Sequence, residues 1–132
     1  MSNWTHVAGV VRIDNIEHLN GKINFENIFG KECLWDSDEL TWNDVNNNPD
    51  KYLPMGSEGS LQLSVWENPD KHCSSAYTVN IFGDLRDHDN PQEIIDWFKS
   101  KIKDLWVRQA VITVYNEWNG VLTWVYSDNG DN

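Results

Sequence analysis

Apolar positions along this chain change period from one stretch to the next. Residues 6–13, HVAGVVRI, are rich in β-branched residues and apolar at odd and even positions alike, the pattern of a central strand covered on both faces. At 60–66, SLQLSVW alternates strictly: Leu61, Leu63 and Val65 share one face, Gln62, Ser64 and Trp66 the other. AYTVNIF at 76–82 repeats the alternation, with Tyr77, Val79 and Ile81 facing inward. The turn-rich ENPDKHCSS between these two runs predicts an antiparallel hairpin with a long loop. Two further strands, RQAVITVY and GVLTWVY, flank NEWNG, whose Asn119-Gly120 suits a hairpin turn needing positive φ.

Helical period appears most clearly in NPQEIIDWFKSKIKDLW. Ile94, Ile95, Phe98, Ile102 and Leu105 form one stripe, and Lys99, Lys101 and Lys103 lie largely off it. Asn90 is placed to cap this helix, with Pro91 as its first residue and Glu93 in the first turn. Residues 14–59 are too long for a bare loop and are expected to hold one or two short helices. One is NFENIFG, with Asn24 as cap and Gly30 as stop; the other is SDELTWNDV, capped by Ser37 and broken by NNNPD. GSEGS at 56–60 reads as a flexible strand entry, because a phosphate loop would need a helix after it and a nearby Lys or Arg.

The resulting order predicts one α+β domain over residues 1–132. Its expected plan is a ferredoxin-like antiparallel sheet, β-α-β-β-α-β-β, with the helices on one face. Residues 14–59 form its irregular, helical crossover and 127–132 a flexible polar tail.

Composition narrows the functions available. The 132 residues are 39% apolar and 23% charged, as in folded domains generally. A net charge of −11 repels phosphate backbones, which argues against direct nucleic-acid binding and suits a partner with a basic surface. Eight tryptophans are more than one small core can hide, so some are expected on the surface, where large rings often serve recognition. The first residues lack a basic, apolar leader and no apolar run is long enough to span a bilayer, so a cytoplasmic protein is expected.

Two surfaces stand out as candidate sites. Between Lys31 and Lys51 the chain is acidic without a single base, and two tryptophans are interleaved with the acids. Glu32, Trp35, Asp36, Asp38, Glu39, Trp42 and Asp44 are therefore the candidate protein-binding residues, matched to Arg and Lys through charged hydrogen bonds and cation–π stacking. The competing reading turns Trp35 and Trp42 into the core. The second surface is an aromatic platform of Trp66, Trp124 and Tyr126 on the sheet, a place for a sugar or nucleotide ring. There, too, the rings can instead cover a second layer or a second copy of the chain.

Catalytic and metal chemistry find less support. The stretch FGDLRDHDNPQE, 82–93, packs the most chemical groups, and an enzyme would use His88 with Asp84, Asp87 or Asp89. Half of the stretch is explained by helix initiation, and the remainder reads as a turn closed by a local Asp–Arg pair. Cys33 and Cys73 are expected as free thiols. Adjacent His72-Cys73 lacks the spacing of zinc ligands, so no metal or other cofactor is expected. No G-x-S-x-G nucleophile turn is present.

HVAGVVRID near the start, PMGSEGSL in the middle and AYTVNIFGDLRD before the long helix resemble stretches of small bacteriophage and prophage proteins. The resemblance implies an accessory phage protein in the bacterial cytoplasm, a non-enzymatic binder or inhibitor of a host factor, and carries over no catalytic residue. A small-ligand sensing domain is the alternative, and an exposed sheet edge would also accept a second copy.

Overall fold

In the computed structural model, which describes residues 2–15, 23–33, 49–69 and 75–127, β1 (Trp4–Asn15) runs through the middle of a five-stranded sheet. Its neighbours are β5 (Ser75–Arg86) and β6 (Val107–Asn116). The edges are β4 (Gln62–Glu67), beside β5, and β7 (Gly120–Ser127), beside β6. Every pairing is antiparallel, giving the order β4-β5-β1-β6-β7.

Register follows from the alternation. Val11 pairs with Val79 and Ala110, and Gly9 with Ile81 and Ile112, so the apolar set of three strands faces one way. Over it lies α2 (Pro91–Ile102), which buries Ile94, Ile95, Phe98 and Ile102. Asn90 caps it, its side chain accepting from the Glu93 N–H at 3.4 Å, and Pro91 occupies the first turn. The shorter α1 (Phe25–Phe29) adds Phe25, edge-on to Tyr77 with centroids 5.1 Å apart, and Phe29, 6.4 Å from Trp97. Leu53 and Leu61 complete the same core. Each such side chain contributes about 1.5–3 kcal/mol by leaving water, so this one face carries most of the fold's hydrophobic stabilisation.

The ferredoxin-like β-α-β-β-α-β-β plan is corrected by this arrangement. Strand dominates, and the described part of the first crossover contains only five-residue α1 and a three-residue 3₁₀ turn at Pro49–Lys51. Gly30, at φ +119, ends α1, and Lys31 bridges to Tyr52 instead of continuing a helix. An additional hairpin, β2 (Met55–Gly56) and β3 (Gly59–Ser60), precedes β4. It forms because Gly59 takes φ +133 in its turn and because Gly56 lets the chain approach Arg86; a Cβ there would collide with the Arg86 backbone. GSEGS is thus a docked hairpin and not a loose strand entry. The expected second helix, SDELTWNDV, lies outside the described residues, as do most of ENPDKHCSS and the tail 128–132.

The β6–β7 turn is also built differently from the expected Asn119-Gly120 pair of positive φ values. Only Gly120 is left-handed, at φ +89. The turn is held by Asn116, whose Oδ1 accepts from the Trp118 and Asn119 N–H groups at 3.0 and 2.8 Å.

Candidate functional site

The helices of the described residues cover one side of the sheet, and on the other side the described residues leave it open. The register places Gln62, Ser64 and Trp66 of β4 beside Thr78, Asn80 and Phe82 of β5, then Ala8 and Val10 of β1. Val111, Thr113 and Tyr115 of β6 follow, and Val121, Thr123 and Val125 of β7 close the row. Phe82, Val111, Tyr115 and Val125 are exposed, Val121 and Trp66 by more than half (59% and 51%). A shallow depression of about 550 Å³ lies over Ala8, Val10, Asn80, Phe82 and Val111. Between its two ends the one charge this face bears among the described residues is Arg12, exposed and paired with Thr78 and Gln109, in a chain where 23% of residues are charged.

Charges gather at the ends. At one, Asp14 accepts from Arg108 Nε at 3.2 Å. At the other, the His6 ring lies between two carboxylates, with Nδ1 2.7 Å from Asp84 Oδ1 and Nε2 3.2 Å from Glu117 Oε2, and stacks on Tyr115. Hydrogen bonding to Asp84, then to Glu117, raises the His6 pKa above its ordinary value. The stability supplied by the charged ring is complete below about pH 6.5 and is lost as pH rises through the raised folded value. Denaturation midpoints should therefore fall above neutrality in the wild type and stay flatter in His6→Gln; parallel profiles would refute the linkage.

FGDLRDHDNPQE is a junction between elements. β5 continues to Arg86, whose Nη1 donates to Glu58 Oε1 at 2.6 Å and whose Nε donates to Ser2 Oγ at 2.9 Å. The expected local Asp–Arg closure is secondary, since Arg86 and Asp87 are 3.9 Å apart and Asp87 instead accepts from Ser57 Oγ at 2.9 Å. Asp87 sits at φ +61, which turns the chain toward α2. The His88 carbonyl accepts from Thr5 Oγ1 and, at 3.3 Å, from Asn116 Nδ2. Asp84 pairs through Oδ1 with His6. Among the described residues no three His, Cys, Asp or Glu side chains come together as a metal site. Cys33 is buried, and burial pushes its thiol pKa up, away from the reactive thiolate.

Of the acidic, Trp-bearing set, Glu32 is exposed just after the Lys31 bridge. Trp35, Asp36, Asp38, Glu39, Trp42 and Asp44 lie outside the described residues. The aromatic set is divided between the two faces. Trp66 stands on the open face of β4, whereas Trp124 and Tyr126 pair with Ile112 and Ala110 on the helix side of β7. There the two rings stack at 6.3 Å and 20°, and Phe98 meets Trp124 edge-on. With Lys99, Ile102, Lys103, Leu105 and Val107 they line a cavity of about 270 Å³. All six described tryptophans keep some exposure, and Trp106 and Trp118 are mostly exposed.

Sequence reasoning missed His6, because its partners lie 78 and 111 positions away and only the sheet brings them together. Of Lys99 and Lys103 the helical period shows only that they lie largely off the apolar stripe. The open apolar face had a visible signal: HVAGVVRI is patterned for cover on both sides, and the described residues cover only one. Comparison with known protein families, curated proteins and solved structures found no match to this chain.

Proposed function

We propose that this chain is a non-enzymatic binding protein, an acidic accessory protein of the phage type that engages and blocks a host protein through the open face of its sheet. The observation that supports it is that face: broad, largely apolar and carrying, among the described residues, Arg12 as its one charge between the ends, in a protein of net charge −11. Charge depletion and aromatic enrichment mark the centre of protein interfaces. β1 carries the sequence pattern of a strand covered on both sides, and a bound partner would supply the missing cover. The partner that fits has an apolar patch bordered by Lys and Arg. Its patch displaces water from Phe82, Val111, Tyr115 and Val125, and its basic border meets the Asp84 and Glu117 carboxylates at one end of the face.

Val111→Glu combined with Val125→Glu tests this. The immobilised wild-type chain should retain a basic protein from a bacterial lysate, and the double variant should not. With that partner purified, the substitutions should weaken binding roughly thirtyfold or more. Charge reversal at Asp36, Asp38 and Glu39 should mainly slow association, and high salt should do the same. A partner indifferent to both sets of changes would sink the proposal.

A further inference from the structure

On the opposite side of the sheet from the open face, the cavity between the last turn of α2 and strands β6 and β7 has a composition of its own. Ile102, Leu105 and Val107 give it apolar walls, and Trp124 and Tyr126 give it a wall of two near-parallel rings. Its charged groups are the amines of Lys99 and Lys103, and among the described residues no acid lines it. In a chain with twice as many acids as bases, this is a local inversion of charge. Lys99 Nζ stands 5.5 Å from the Trp124 centroid, and Lys103 has no ion-pair partner among the described residues.

We propose that this cavity binds a planar aromatic molecule bearing one anionic group. The ring lies against Tyr126 and the aliphatic wall, because Trp124 and Tyr126, with centroids 6.3 Å apart, leave no space for a ring between them. The anion meets the two amines at the mouth. The negative end of the α2 dipole points toward the same region, so the lysines alone must supply the attraction. A volume of about 270 Å³ suits one or two fused rings with a single substituent and is small for a larger ligand. A free aromatic acid and a nucleoside monophosphate share this chemistry. The cavity is separate from the open face, so both can be occupied together.

The test follows the Trp124 indole N–H resonance, assigned by its loss in Trp124→Phe, while naphthalene-2-carboxylate is titrated into the full chain. A saturable shift is expected, and the neutral naphthalene-2-carboxamide should bind about fivefold more weakly. Lys99→Gln with Lys103→Gln, both at exposed positions, should abolish the preference for the acid. Leu105→Trp, which fills the cavity, should abolish binding of both probes. Adenosine monophosphate is run as a parallel arm: a lysine-dependent shift of the same resonance assigns the site to nucleotides, and a response to naphthoate alone assigns it to aromatic acids. The proposal is overturned if neither anion moves the Trp124 resonance, or if acid and amide bind equally and without regard to the lysines.

Discussion

Phe98→Ala is expected to remove about 3–5 kcal/mol of folding stability, much of what a domain of this size normally has. Phe98 is fully buried at the middle of α2 and its ring meets Trp124 edge-on, with centroids 6.1 Å apart. Truncation removes a large apolar surface from the one face that holds helix to sheet, and leaves a void that the neighbouring Ile95, Ile102 and Ile112 cannot fill from their rotamers. Urea denaturation measures the loss directly. Phe98→Leu should recover most of it, since a branched aliphatic side chain refills part of the space. A loss below about 1 kcal/mol would mean that α2 does not sit on the sheet at this position.

Asn116→Ala is expected to cost about 2–3 kcal/mol, through polar groups and not through volume. Asn116 is completely buried at the end of β6. Its Nδ2 donates to Thr5 Oγ1 at 2.8 Å and to the His88 carbonyl at 3.3 Å, while its Oδ1 accepts two backbone N–H groups of the following turn. One amide thus joins the start of β1, the loop before α2 and the β6–β7 hairpin. Without it, Thr5 and the turn N–H groups lose partners at a site with little access to water. Thr5→Val attacks the same network, because Thr5 Oγ1 donates to the His88 carbonyl. The double variant should therefore lose less than the sum of the single losses, and strict additivity in a double-mutant cycle would contradict a shared network.

How much of this was legible before the structure depended on how local each cause is. α2 could be read almost to the residue, because its stripe, its cap at Asn90 and its Pro91 all lie within one short stretch. The five long strands could be read from alternation or, in HVAGVVRI, from β-branched residues apolar on both faces, though β5 runs four residues beyond AYTVNIF, to Arg86, where polar side chains hide the period. The crossover could not be read as well. Five apolar-spaced residues in NFENIFG gave a helix of that length and no more, and GSEGS became a hairpin only because Gly56 fits against Arg86, far away in sequence. The site divides in the same way. Trp66, Trp124 and Tyr126 were each recognisable as surface-seeking aromatics, but their grouping required the face of β4 and β7 to be known relative to α2. Once that is known, Trp66 belongs with Phe82 and Val111, and Trp124 with Lys99. His6 with Asp84 and Glu117 had no local signal at all.

The edge strand β7 has a consequence for the chain in quantity. Among the described residues no strand lies beyond GVLTWVY on the outer side of β7, and this stretch carries no charge or proline to discourage a neighbour. What keeps copies apart is electrostatic: −11 on each molecule, felt over a Debye length of about 8 Å at physiological ionic strength. Close to the isoelectric point, near pH 4.5, that repulsion vanishes while the bare strand remains. Two copies can then join β7 to β7 about a two-fold axis, and because β4 is the other edge strand among the described residues, pairs can join again through it. A protein whose copies repel one another at neutral pH thereby carries, in the two edges of its described sheet, the geometry of an open-ended ribbon.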